Sequence, residues 1–385
     1  MPLYDLTEFL KLSSVLNYNL SAASLNRHNV LLFMIGSRPL HLDETVSKRH
    51  KGILMNALNY LFDAYSQKRR RLGPMAVLHP LRATALFARA VEAPNLISLL
   101  STLFHDILED IRPRDFKRQK WREMEFEMYD LFDRLSSGEE EQLLHRLLAI
   151  TRRDSESYYQ YIGRMLESVD TAPDLVKIKL ADRLDNTLDM RIDLRDPLDS
   201  VDFFKNLFQV LFVNTYRGYE PEYDQSAPES LNGARRLYQL FKNTVLLSMI
   251  RHQHLSADPG REMLFVALAE ASLKEAQRTL MRTTGYHYRD LKGQRKLLLE
   301  AMDYCYSGKT DRATKPTHNQ LLDGLFSEYF ASSSGKVRRE KLDLLYQDKP
   351  LMIQASTAFI VIFLSFMNDP DYYVHGISSR GVEPR

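Results

Sequence analysis

Cysteine is almost absent from this chain. One residue, Cys305, among 385 excludes an intrachain disulfide and any zinc site built on clustered thiolates, and fits a reducing compartment such as the cytoplasm. Glycine and proline are sparse, 15 of each, which disfavours a turn-rich sheet protein and points to helices. Excess charge is missing as well: 52 basic and 50 acidic side chains leave a net charge of +2, so no global field steers the chain to nucleic acid or to a membrane. The longest apolar run, 352–367, has 16 residues and includes Gln354, Ser356 and Thr357. That is short for a bilayer span and reads as a buried helix. The opening MPLYDLTEFLKLSS carries Asp5, Glu8 and Lys11, which is not the pattern of a secretory signal.

What is present is helical periodicity over a length sufficient for two cores. The expected fold is all-α: a helical segment over 1–50, a first helical domain over 51–198, a second over 199–375, and a disordered tail from 376. Within the first domain a helix is expected over 52–71, broken by Gly73 and Pro74. Another follows over 78–92, and Asn95 is placed to cap the next. The stretch 112–141 is first basic (RPRDFKRQKWR) and then acidic (SSGEEE), the composition of a solvated helical insertion or of a lid offering cations to an anion. Beyond 200 come long helices over 199–218, 227–252, 258–283, 290–306, 318–331, 337–346 and 350–367.

The chemistry concentrates in LLSTLFHDILEDI, residues 99–111. Read as one helix, it stacks His105 over Glu109 and Asp106 over Asp110 on a single stripe, with leucine, isoleucine and phenylalanine covering the rest. Three carboxylates and an imidazole on a buried helix need a compensating cation. His79 in VLHPLR and Asp182 in IKLADRLDN extend the set to the order H…HD…D, the ligand series of a metal-dependent phosphohydrolase. With no thiolate, the set suits manganese, iron or zinc. Such an ion polarises phosphoryl oxygens and acidifies water, and Glu109 or Asp110 can take the proton. A plain ion pair of Asp182 with Lys179 or Arg183 is the structural alternative.

These pieces resemble the HD hydrolases of the RelA/SpoT type, which remove pyrophosphate from the 3′ position of guanosine tetra- and pentaphosphate. The matching elements are RRxG at 70–73, HP at 79–80, HDxxED at 105–110, TRR at 151–153 with ESYYQYI at 156–162, and KLADRLDN at 179–186. They cover roughly residues 55–195. The resemblance implies that His79, His105, Asp106 and Asp182 hold one Mn2+, or another divalent ion, and that Glu109 and Asp110 activate the water. It further implies that Arg70, Arg71, Asn186 and Tyr159 contact the nucleotide. The chain has Tyr65 where the family usually has a histidine, RLGPMA where the family has KSGEPY, and no recognisable synthetase domain. The expected activity is therefore that of a stand-alone hydrolase yielding GDP or GTP and pyrophosphate. The altered segment keeps open another nucleotide substrate, NADPH or a 5′-nucleotide, and a nucleotide-binding regulator acting through its C-terminal helices is the non-enzymatic alternative. Those helices are available to a second copy of the chain or to a protein partner; neither a membrane nor a nucleic acid is expected as one.

Other motifs carry no chemistry. GKT at 308–310 has Asp303 where a phosphate-binding loop needs its first glycine. The KRRR at 68–71 is too short and isolated for a nucleic-acid patch.

Overall fold

A computed structural model describes residues 27–37, 39–66, 68, 76–190, 233–287, 290–293, 295–297, 299 and 334–382. The chain is all-α, and the described residues form two compact units. The first takes the described residues up to Arg152 together with Met165–Leu188 and Ala257–Ala267, and the second takes Arg153–Arg164, Asp189–Ser256 and those from Leu268 on. Residues 153–164 thus group with the second unit and 257–267 with the first, where the sequence suggests a single cut near 198. The expected helices over 199–218 and 318–331, with Cys305 and the GKT triplet, lie outside the described residues.

The first unit contains α1 (Arg27–Ile35), α2 (Glu44–Ala64), α3 (Leu78–Ala90), α4 (Leu96–Leu103), α5 (Ile107–Asp110), α6 (Arg118–Asp133), α7 (Ser137–Ile150) and α9 (Leu175–Asp189); α8 is Tyr158–Glu167. Helix α2 starts eight residues before the expected Gly52 because Asp43 caps it, accepting from the Thr45 and Val46 N–H groups. Its apolar stripe begins only at Ile53, which is why periodicity finds the start late. Helix α3 is buried on every side except at Arg89, as an apolar helix must be. It packs on α1 and α4, while α4 also packs on α2 and α7. Asn95 caps α4 as expected, its side chain accepting from the Ser98 N–H at 2.8 Å. The charged stretch 112–141 supplies α6, which buries only Met124 and Leu131, and the start of α7 with a Ser136/Glu139 capping box. That is the solvated helix its charge describes.

Two polar ties hold this unit. Asp174, at the head of α9, accepts both Arg146 Nε at 3.0 Å and Ser98 Oγ at 2.5 Å, joining α9 to α7 and α4. Asp258 caps α11 (Pro259–His287) through the Arg261 N–H and pairs with Lys177 Nζ at 2.6 Å. Burial alone raises the Asp258 pKa, but Lys177 and the capping N–H override it and the net shift is downward. A carboxyl lowered in the folded state stabilises above its unfolded pKa, about 3.9, and loses that contribution as pH falls through the folded value. Asp258→Asn is expected to cost roughly 1 kcal/mol or less at pH 7. The gap should close below about pH 4, which urea unfolding at both pH values checks.

The second unit contains α10 (Gly233–His252), α12 (Gly335–Gln347), α13 (Lys349–Asn368) and most of α11. Helix α10 packs on α12 and α13, and Arg236 with Glu275 forms an ion pair of 2.6 Å that solvent does not reach. Helix α13 is the one helix among the described residues long and apolar enough to cross a membrane, yet 61% of its apolar window is buried within the protein. The expected disordered tail instead folds back over 377–382. Ile377–Ser378 (β1) pairs antiparallel with Gly381–Val382 (β2), Ile377 is buried, and Gly376 and Gly381 take positive φ values of 84° and 115° that favour glycine. Sequence reading misses it because polar turn residues separate strands of only two residues.

Candidate metal centre

The centre lies wholly in the first unit and is assembled from three places in the chain. The first is the start of α3. Pro80 occupies its first turn, where a missing N–H costs nothing, and His79 just before it is buried.

The second is the junction of α4 and α5, and here the structure corrects the sequence reading. Residues 99–111 are not one helix: α4 ends at Leu103, and Phe104–Asp106 form a turn with φ/ψ of −103°/9° at Phe104 and −101°/0° at Asp106. On an unbroken helix consecutive side chains diverge by about 100°. The turn removes that divergence, so His105 Nε2 and Asp106 Oδ2 come within 3.2 Å of each other. The stripe of His105 over Glu109 therefore does not form, and the ligands converge on a point.

The third place is the middle of α9. Asp182 brings Oδ1 to 3.2 Å from His79 Nε2 and 3.6 Å from His105 Nε2. His79 Nε2 lies 3.2 Å from Asp106 Oδ2 and 3.0 Å from His105 Nε2. All four ligand atoms fall within 4.8 Å of one another. Donors bound about 2.1 Å from one ion stand about 3.0–3.4 Å apart, so this donor set fits a single divalent cation, with nitrogen and oxygen ligands only. Both imidazoles are set for it. Nδ1–H of His105 donates to the Thr102 carbonyl at 2.8 Å, and Nδ1–H of His79 donates to Asp185 Oδ2 at 2.6 Å. These partners assign the tautomer that leaves each Nε2 lone pair facing the centre.

The electrostatics follow from four ionisable groups packed together. Burial pushes the Asp106 and Asp182 carboxyls up, but the facing imidazoles, with Lys179 on Asp182 at 2.7 Å, hold both far below the usual carboxylate range. Burial opposes charge on His105, and the two carboxylates outweigh it and raise its pKa. A coordinating cation must displace that proton. The Lys179–Asp182 ion pair offered as the structural alternative is thus present, and it occupies Oδ2 while Oδ1 faces the imidazoles.

Glu109 and Asp110 sit one turn along on α5. Partial desolvation by neighbouring residues is the largest cause raising both pKa values, with Asp106 adding to it, while both residues stay open to solvent. Glu109 accepts the Arg152 N–H at 2.8 Å, and Asp110 accepts the Tyr65 hydroxyl at 3.1 Å. Lys68 Nζ bonds the Asp110 carbonyl and the Asp115 carboxylate at 3.0 Å, and Arg112 Nε bonds the Glu109 carbonyl at 3.2 Å. Cations therefore flank the two acids.

The remaining predicted contacts divide three ways. Asn186 lies beside the centre, its amide donating to Asp182 Oδ1 at 2.5 Å. Arg70 and Arg71 lie outside the described residues. Tyr159 belongs to the second unit, is 1% exposed and packs its ring on Phe241, so it presents no surface to a ligand arriving from solvent. Its aromatic ring gains more from core burial than from a pocket rim. Sequence reading missed Asp185 and Arg82, although each stands three residues beyond a proposed ligand, Asp182 and His79, on the same helix.

Fold and site together define an all-helical protein with a buried His/Asp cluster able to hold a divalent cation. No family model, curated protein or solved structure matches the chain.

Proposed function

We propose that this chain is a metal-dependent phosphohydrolase of guanosine polyphosphates, releasing pyrophosphate from the 3′ position and leaving GDP or GTP. The observation that carries the reading is the convergence of His79, His105, Asp106 and Asp182 on one point, with Glu109 and Asp110 beside it. A divalent ion at that point, Mn2+ in this reading, supplies Lewis acidity toward phosphoryl oxygens and lowers the pKa of water.

The protein's own groups do the rest. Glu109 and Asp110, beside the cluster on α5, are the carboxylates that accept the proton of the attacking water. The water oxygen bonds to the 3′ phosphorus, the bond from phosphorus to the ribose 3′ oxygen breaks, and that oxygen is protonated as it leaves. Lys68 and Arg112, with Lys179 at Asp182, offer positive charge to a multiply anionic substrate. Asn186, adjacent to Asp182, is the nucleoside contact in this reading. Such a substrate belongs to the cytoplasmic nucleotide pool.

The test is direct. Purified protein with guanosine tetraphosphate and MnCl2 is expected to yield GDP and pyrophosphate, resolved by anion exchange, and EDTA is expected to abolish the products. Unchanged substrate with Mn2+ bound overturns the guanosine assignment and moves the search to NADPH and 5′-nucleotides. Tight nucleotide binding without turnover on any of these makes the chain a sensor rather than an enzyme.

A further inference from the structure

The four converging ligands are supported by a second, fully buried layer. Asp185 on α9 has no solvent exposure, and both its oxygens bond α3: Oδ2 accepts His79 Nδ1–H at 2.6 Å and Arg82 Nη2 at 3.1 Å, and Oδ1 accepts Arg82 Nε at 2.7 Å. Arg82 is 1% exposed. The arrangement is reciprocal. On α3 His79 and Arg82 stand three residues apart, on α9 Asp182 and Asp185 do, and each pair lies along one face of its helix. One ligand and one supporting residue from each helix therefore meet across the α3–α9 contact.

From this geometry we infer that Asp185 and Arg82 form a positioning pair for the metal centre. Asp185 holds the first histidine in the tautomer and rotamer that aim Nε2 at the ion, and Arg82 fixes the Asp185 carboxylate. The inference rests on the reading that the four residues hold a divalent cation. A carboxylate that accepts Nδ1–H orients the imidazole and makes its other nitrogen a stronger ligand, and losing such support typically weakens metal affinity by about 10–100-fold. Arg82 matters through geometry. Its planar fork engages both carboxylate oxygens, which a lysine ammonium does not reproduce. A pair serving only to fasten two helices would have no need to place an oxygen on the imidazole nitrogen opposite the ligand atom.

The experiment is a titration of the full chain with MnCl2 by calorimetry, with a melt of each protein in EDTA to report the metal-free fold. Two loss variants, and Asp185→Glu as the rescue, are compared with the parent. Asp185→Asn keeps the size and removes the charge. The double variant Arg82→Met/Asp185→Leu removes both buried charges together, a replacement that buried ion pairs commonly tolerate, and so keeps the test open where the single variant unfolds. Either variant, folded in EDTA, is expected to bind Mn2+ about 10–100-fold more weakly than the parent, with Asp185→Glu recovering part of the loss. Parental affinity in a folded variant overturns the inference, as does failure of both variants to fold, which assigns the pair to the fold alone. A parent chain that binds no Mn2+ overturns the metal reading itself, and the parent titration separates that result from the others.

Discussion

Asp106→Ala is expected to weaken Mn2+ binding by more than about 100-fold, beyond the loss from removing a merely supporting group, and to bring hydrolysis of guanosine tetraphosphate to background while the metal-free fold stays intact. The local structure explains why function and stability separate here. Asp106 stands at the head of α5, yet its side chain caps no N–H. The backbone carbonyl, which the substitution keeps, accepts the Glu109 and Asp110 N–H groups. What the side chain touches is His79 and His105, each at 3.2 Å. In EDTA the variant should therefore keep the parental fold, its melt lowered only by the lost contacts to His79 and His105. With metal the two should diverge, because a ligand at 100 times its Kd adds about 2.7 kcal/mol to a protein that binds it and nothing to one that does not. Asp182→Ala makes the useful contrast. It removes a ligand and also the partner of Lys179 and Asn186, so it should lose both metal affinity and metal-free stability. Melts with and without MnCl2, beside calorimetric titration, check both. Parental Mn2+ affinity in Asp106→Ala would remove that residue from the ligand set.

The sequence made the members of the His/Asp cluster legible and concealed how they meet. His79, His105, Asp106 and Asp182 stand out because ionisable side chains in apolar helices are costly and so conspicuous. The break at Phe104–Asp106 was not legible, since LLSTLFHDILEDI holds no glycine or proline and its apolar residues follow helical spacing throughout. Tertiary demands override local propensity there. Asp185 was hidden for a different reason. In LADRLDN one aspartate looks much like the next, and only the approach of α3 distinguishes the one facing the centre from the one behind His79. Tyr159 shows the reverse error, an aromatic assigned to a ligand when the core uses it. The capping role of Asn95 depends on adjacent residues alone, which is why local sequence reveals it while long-range pairing remains concealed.

The same long-range logic locates a large stability effect in the first unit, away from the metal centre. Arg146→Ala is expected to destabilise it by about 3–5 kcal/mol, the usual cost of stripping one partner from a buried ion pair. Arg146 and Asp174 are each about nine-tenths buried. Asp174 accepts Arg146 Nε through both oxygens at 3.1 and 3.0 Å, and the Ser98 hydroxyl adds a third bond. Removing the guanidinium leaves Asp174 buried with a neutral hydroxyl as its remaining side-chain partner. Three helices lose their common tie. The magnitude is thus a penalty on the carboxylate left behind rather than the net worth of the pair, and a second substitution separates the two. Arg146→Met/Asp174→Leu removes both charges, and the double variant should recover most of the loss because apolar side chains of similar volume pack without a desolvation cost. Urea unfolding followed by tryptophan fluorescence suits the measurement, since the single tryptophan, Trp121, lies in α6 of this unit. A double variant as unstable as the single one would show that the tie stabilises by specific hydrogen bonding, and that α4, α7 and α9 need those bonds to meet in register.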